Sequence, residues 1–208
     1  MQPENRSGDQ EKRKSFIEDA RRGQIVAATI ETIAEIGYAK ASFVQIAQRA
    51  GISPGLITYH FAKREELMKQ VMQTVHDSMD RALSARAEGA ESYCAAIRHL
   101  IEGFVHYCSE HPAELIAIGQ IASAARDAQA AREWYEAQAA ATLAEMEDMF
   151  REGQEAGELR VFSPRVMAVS IIGAMEAAPG ELMARPDTDV SQYAKELADL
   201  FERAVKAA

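Results

Sequence analysis

The sequence holds only two cysteines, one tryptophan and six prolines in 208 residues, and aromatic residues make up 7% of it. Two cysteines exclude the disulfide framework that staples small secreted domains. Cys94 and Cys108 fall on what reads as one helix, so ~21 Å separates them at ~1.5 Å per residue, beyond reach of a bond within the chain. Pairing between chains stays open, but two small buried apolar residues is the reading their type favours. No apolar run reaches the ~18 residues of a membrane span, so no membrane partner is expected. The opening stretch MQPENRSGDQEKRK lacks the apolar core of a signal peptide, and a cytoplasmic location is expected. A Gly-rich phosphate loop, an HExxH pair and a nucleophile elbow are all missing, so no enzyme is expected.

What is present is a soluble globular composition, 48% apolar and 26% charged, long enough for one or two domains of ~150 residues. The net charge of −9 argues, taken whole, against a nucleic-acid partner. Its distribution reverses that reading. Residues 1–70 hold 11 Lys+Arg against 9 Asp+Glu, a net of +2, while residues 71–208 hold 12 against 23, a net of −11. The acidity therefore lies wholly in the second part, and a functional boundary falls near residue 70.

The apolar periodicity predicts an all-α fold of about nine helices. Residues 1–20 are polar and aperiodic and read as a disordered, partly basic arm. From Gln24 a stripe of Ile25, Val26, Thr29, Ile30 and Ile33 predicts a helix that stops at Gly37. Ser42 caps a short second helix burying Val44, Ile46 and Ala47 and ending at Gly51. Ser53-Pro54 opens a third, to about His60, and a fourth starts near Arg64 with Leu67, Val71, Val75, Met79 and Ala82 on one stripe. Ser92 caps a fifth that ends at His111-Pro112, a sixth spans about 113–125 and a seventh about 127–156. Ser163-Pro164 opens an eighth, interrupted at Pro179-Gly180, and a ninth covers about 190–206.

The second and third helices carry the chemistry. Ala47 is small where a following helix must cross closely, and Gly51, four residues on, allows the sharp turn. Ile46, Ala50, Ile52 and Ile57 fill the angle between the helices. This is the pattern of a helix-turn-helix, whose second helix enters a DNA major groove.

Residues 21–70 resemble the DNA-binding domain of the TetR (tetracycline-repressor-type) transcriptional regulators. The resemblance rests on Gly37-Tyr38, Ser42, Ile46-Ala47, Ala50-Gly51-Ile52-Ser53, and Tyr59-His60-Phe61 followed by Arg64, Glu65 and Leu67. The string Pro-Gly-Leu-Ile-Thr-Tyr-His-Phe is closer to the subgroup resembling the choline–betaine pathway repressors. Thr58 departs from the phosphate-contacting tyrosine of many members, and Arg64 from the usual lysine. Within this frame the DNA-binding candidates are Ser42, Gln45, Ser53, Gly55, Thr58, Tyr59, His60 and Arg64. The serines offer hydroxyls and helix-terminal N–H groups to phosphate. A cation at a helix start opposes the macrodipole, a penalty that a phosphate beside Arg64 would reverse. Phe61 and Leu67 read as core. Lys12, Arg13, Lys14, Arg21 and Arg22 read either as a solvated tail or as an arm following the minor groove. The third helix carries no Arg, Asn or Gln to pair bidentately with a base, which shifts sequence specificity towards phosphate contacts, DNA shape and the second helix.

Residues 71–208 then read as a helical ligand-binding and dimerisation domain. The segment 164–178 is apolar on more than one face and 190–206 carries a matching stripe, so a homodimer through these two helices is expected, binding a palindromic double-stranded operator. As the resemblance implies, helices four to eight would enclose a pocket for a small-molecule effector, with Phe104, Tyr107, Trp134, Met146, Met149, Phe150 and Met175 as lining; plain core at helical spacing is the alternative for each. Glu176 stands out as a carboxylate in an apolar run that must be paired, protonated, solvated or facing a cation. His99, His106, Cys108 and His111 suggest a metal, but they do not converge on one helix face, and neither a metal nor a cofactor is expected. A helix-turn-helix that contacts protein is the second reading of the chain, and an all-α enzyme using Glu176 and a histidine is the third.

Overall fold

The computed structural model describes the backbone of residues 6–87, 89–125 and 129–207, and their side chains apart from 6–15, 87 and 125–135. Among the described residues the chain is all-α: α1 (Arg6–Ile36), α2 (Phe43–Ala50), α3 (Pro54–His60), α4 (Arg64–Ala87), α5 (Tyr93–Glu110), α6 (Pro112–Ala125), α7 (Gln129–Glu155), α8 (Pro164–Ala184) and α9 (Val190–Val205). An isolated antiparallel bridge joins Leu159 and Lys206.

Two elements differ from the sequence expectation. Residues 6–20 continue α1 instead of forming a disordered arm; they lack apolar periodicity, but Gln, Glu, Lys and Arg are good helix formers that extend a helix already nucleated downstream. Helix α8 runs unbroken through Pro179 to Ala184. Proline removes one backbone hydrogen bond there, yet the inward side chains Met175, Ala178 and Leu182 pack on both sides of it, in two apolar clusters, and this packing outweighs the loss.

The chain divides into two compact units, one up to Val75 together with Ile116–Ile121, the other His76–Leu115 with Ala122 onward. In the first, Ile25, Ile33, Ile46, Ala47, Ile57, Phe61, Leu67 and Val71 are all buried to 1% exposure or less. Thr29 and Thr32, the buried polar residues, satisfy their hydroxyls by donating to the carbonyls of Ile25 and Ala28 one turn back, at 2.7 and 2.6 Å.

In the second unit α5 lies along α9 and α8, and α7 packs on α8. Its core joins Ile97 and Ile101 of α5, Met146 and Phe150 of α7, Ala168, Ile171 and Met175 of α8, and Ala198, Phe201 and Val205 of α9. At the edge of the α5–α9 contact the Arg98 guanidinium pairs with Asp199, Glu202 and Glu102, which holds the Asp199 carboxyl below its ordinary range. Helix α8 is, by length and composition alone, apolar enough to cross a membrane, although Arg165, Ser170, Glu176 and Glu181 interrupt its apolar run. Its Ala168, Ile171, Met175 and Ala178 are instead turned into the protein core and Glu176 lies exposed on its outer face.

Gly153 marks a close contact in this unit: a Cβ there would lie 2.6 Å from Leu159 Cδ1 and 3.0 Å from Tyr93 Cγ. Gly153→Ala is therefore expected to destabilise the protein by about 1–3 kcal/mol, measured by urea unfolding.

Candidate nucleic-acid interface

The helix-turn-helix is built from two capped helices and one left-handed residue. Ser42 has extended backbone angles and its Oγ accepts from the Gln45 N–H at 3.3 Å. Helix α2 ends at Gly51, at φ +66°, where the Ile52 N–H reaches back to the Ala47 carbonyl at 3.0 Å. Ser53 repeats the cap for α3, accepting from the Leu56 N–H, with Pro54 in the first turn. Ala47 is 1% exposed and Ile46 and Ile57 are fully buried, so the close crossing that a small residue allows is present.

Outward from this frame, Ser42, Gln45, Ser53, Gly55, Thr58 and Tyr59 are exposed, while His60 and Arg64 are half-buried. Tyr59 is 72% exposed and its ring stands edge-on to His60 at 5.0 Å. Thr58 Oγ1 donates to the Pro54 carbonyl at 3.2 Å. Phe61 and Leu67 are fully buried, as core residues should be.

Arg64 is placed differently from the phosphate contact expected for it. Its guanidinium donates to the Tyr38 carbonyl and lies 4.4 Å over the Tyr38 ring, so its cationic head is engaged inside the domain. Arg22 has a similar internal use: it donates to the His60 carbonyl, stacks 4.1 Å over Phe61 and faces Glu66 at 3.7 Å. Gln24 Nε2 donates to the Ala50 carbonyl at 2.8 Å, and Arg49 pairs with Glu35. These partners fix both helices of the motif to α1.

The sequence pattern missed one further contributor. Gln120 of α6 accepts from the Tyr38 N–H at 2.7 Å across 82 residues of sequence. Tyr38 thus has its N–H held by Gln120 and its carbonyl by Arg64. The Gly37-Tyr38 pair was visible as a helix stop, but nothing local marks Gln120 as its partner.

In the second unit the pocket candidates are part of the packed interior. Met146, Phe150 and Met175 are buried core, with Phe104 and Met149 against them, and Phe150 meets Phe162 edge-on at 5.4 Å. Tyr107 is 2% exposed, stacks on His111 at 4.3 Å and donates its hydroxyl to Glu114. The Trp134 side chain lies outside the described residues. Glu176 is exposed on the outer face of α8, outside the packed interior that holds the other described candidates.

None of the described candidates lines a cleft of about 240 Å³ in this unit. Cys108, Pro112 and Leu115 form one side of that cleft and Pro179, Leu182 and Val190 the other. Burial pushes the Cys108 thiol up to about 12, which leaves it protonated and unreactive near neutrality. Among the described residues no group of three or more His, Cys, Asp or Glu side chains is arranged to hold a metal. His99 Nδ1 is buried without a hydrogen-bond partner.

A compact three-helix frame that presents a short capped helix outward defines the helix-turn-helix class of DNA-binding domains. The family model of bacterial regulatory proteins, tetR family, matches residues 25–71, the segment that holds the helix-turn-helix. It is 39% identical over 91 residues to the HTH-type transcriptional regulator BetI 1 of Chromohalobacter salexigens, covering 43% of this chain and 45% of that protein. It is 31% identical over 91 residues to the regulator BetI of Stenotrophomonas maltophilia, covering 43% and 46%. The chain therefore spans less than half the length of these curated relatives, which are regulators and not enzymes.

Solved structures extend the likeness of fold to nearly the whole chain. A putative transcriptional regulator from Saccharomonospora viridis in complex with choline superposes with a TM-score of 0.79 at 18% identity, over 91% of this chain and 100% of that one. A putative TetR-family regulator from Rhodococcus sp. gives 0.74 at 24% identity, over 90% and 98%.

The left-handed Gly51 is the sharpest local requirement of the motif. Gly51→Ala should lower stability by about 1–2 kcal/mol, the penalty of placing a side chain in that conformation, as read by thermal or urea unfolding.

Proposed function

We propose that the chain is a DNA-binding transcriptional regulator that works as a ligand-responsive, dimeric repressor. The observation that carries this reading is the placement of α3: buried Ile57 and Phe61 anchor it, and Gly55, Thr58 and Tyr59 are turned outward. The charge division supports it. A slightly basic first part is compatible with phosphate, and the acid of residues 71–208 limits nonspecific attraction of the whole molecule to DNA. Such a regulator acts in the cytoplasm on a palindromic operator.

Dimerisation is supported by an uncovered stripe on α8. Val166, Val169, Gly173, Glu176, Gly180 and Met183 follow helical spacing and are exposed, with Val166 at 65% and Val169 and Met183 at 51%; on α9, Leu200 is 62% exposed. Apart from Glu176, the residues along this stripe are small or apolar, which suits the helix packing of a two-fold interface.

The effector is proposed to enter among the helices that carry Phe104, Tyr107, Met146, Phe150 and Met175. Those side chains are close-packed, so binding requires the core to open around the ligand. Choline in the Saccharomonospora viridis protein supports a small molecule as the effector class. The ligand acts by favouring one arrangement of α4, and hence one separation of the recognition helices in the dimer, over another.

Titration against the DNA upstream of its own coding sequence, at two salt concentrations, tests the reading. Binding should fall steeply with salt and leave a sequence-dependent remainder; equal weak binding to all DNA would favour the protein-contacting alternative. Because Arg64 is engaged with Tyr38, Arg64→Met should lower the melting temperature while leaving the slope of log K against log salt unchanged; loss of a direct phosphate contact would reduce that slope by about 1.

Light scattering at micromolar concentration should give twice the chain mass. Val169→Asp with Leu200→Lys should return the monomer, and a wild-type monomer would refute the dimer.

A further inference from the structure

Helix α3 turns Pro54, Gly55, Thr58 and Tyr59 to the outside, and Gly55 and Thr58 occupy the middle of that strip. Gly55 has no positive φ, and a Cβ added to it would meet nothing nearer than Ser53 Oγ at 4.0 Å. Neither the backbone nor internal packing calls for glycine, and glycine weakens a helix relative to alanine. A side chain that is missing for no internal reason leaves room for a surface outside the chain.

Thr58 stands beside that gap. Its hydroxyl donates to the Pro54 carbonyl, so the hydrogen is turned back onto the helix, and the rest of this exposed side chain is a γ-methyl. Pro54 has no N–H to contribute. Beside the Tyr59 phenol at its end, the strip therefore presents a proline ring, a bare Cα and a threonine side chain, and it lacks the Arg, Asn or Gln that pair bidentately with base edges. One base-edge group of the major groove matches an apolar surface of this kind, the thymine 5-methyl.

We propose that α3 reads its operator through thymine 5-methyl groups, with Gly55 letting the helix backbone approach them and the Thr58 methyl packing against them. This inference rests on the DNA-reading function proposed above. It assigns Gly55 and Thr58 as specificity-determining residues and identifies the ligand as a half-site bearing thymine at the positions facing α3.

The test uses the full-length protein to select duplexes from a random-sequence pool. The enriched duplex is then remade with deoxyuridine in place of each thymine in turn, which removes the 5-methyl and keeps base pairing. One or two positions in each half-site should lose about fourfold in affinity, the equivalent of burying one methyl group. Thr58→Ser, which lacks the γ-methyl, should bind thymine and deoxyuridine duplexes alike, whereas Thr58→Val should still discriminate. Gly55→Ala should melt at a higher temperature than the wild type and yet bind the selected duplex at least tenfold more weakly.

An enriched duplex whose affinity survives deoxyuridine at every position would overturn the methyl readout while leaving the DNA-binding function standing. Undiminished binding by Gly55→Ala would overturn the close approach. Failure to enrich any duplex, with equal affinity for all DNA, would overturn the function itself and the inference with it.

Discussion

The angle between α2 and α3 governs everything the first unit presents to its surroundings. It is set by a small buried residue, Ala47, under the crossing, and by a left-handed residue, Gly51, that brings the chain round within one turn. Ile46 and Ile57 are both fully buried, and Arg22 of α1 donates to the His60 carbonyl at the end of α3. Each serine cap satisfies one of the free N–H groups at the start of its helix, which counters fraying of helices of only seven and eight residues.

Cationic side chains strengthen that frame from within. Arg22 and Arg64 each place a guanidinium over an aromatic ring and donate to a backbone carbonyl. A planar fork suits this combination better than an ammonium does, which gives a physical reason for arginine at position 64. The same engagement changes what the basic residues of this unit mean: a part of its positive charge is structural, and the exposed strip of α3 is correspondingly poor in charge.

Much of this was legible in the sequence. Ser42, Gly51 and Ser53-Pro54 are local signals whose cause and effect lie within four residues, and the structure places each in the role its chemistry predicts. The inward stripes of the longer helices were equally readable, because burial on one helix face leaves a periodic trace. The start of α1 and the continuity of α8 through Pro179 were not, since neither depends on periodicity alone. The partners of Tyr38 were invisible for a different reason: a hydrogen bond to Gln120 leaves no pattern near either residue. The pocket candidates show the limit of reading function from apolar spacing, because Phe150 and Met175 as core and as ligand lining have the same sequence signature.

The hydrogen bond between Gln120 and the Tyr38 N–H has a consequence for how the chain matures. Ile116–Ile121 belongs to the first unit, so that unit is not contiguous in the sequence. A nascent chain that has just emerged through α3 and α4 would expose Tyr38 to water and leave the surface that Ala117 and Ile121 cover bare. The first unit therefore reaches its final form only after Ile116–Ile121 has been synthesised, and a short N-terminal fragment is an unfinished product.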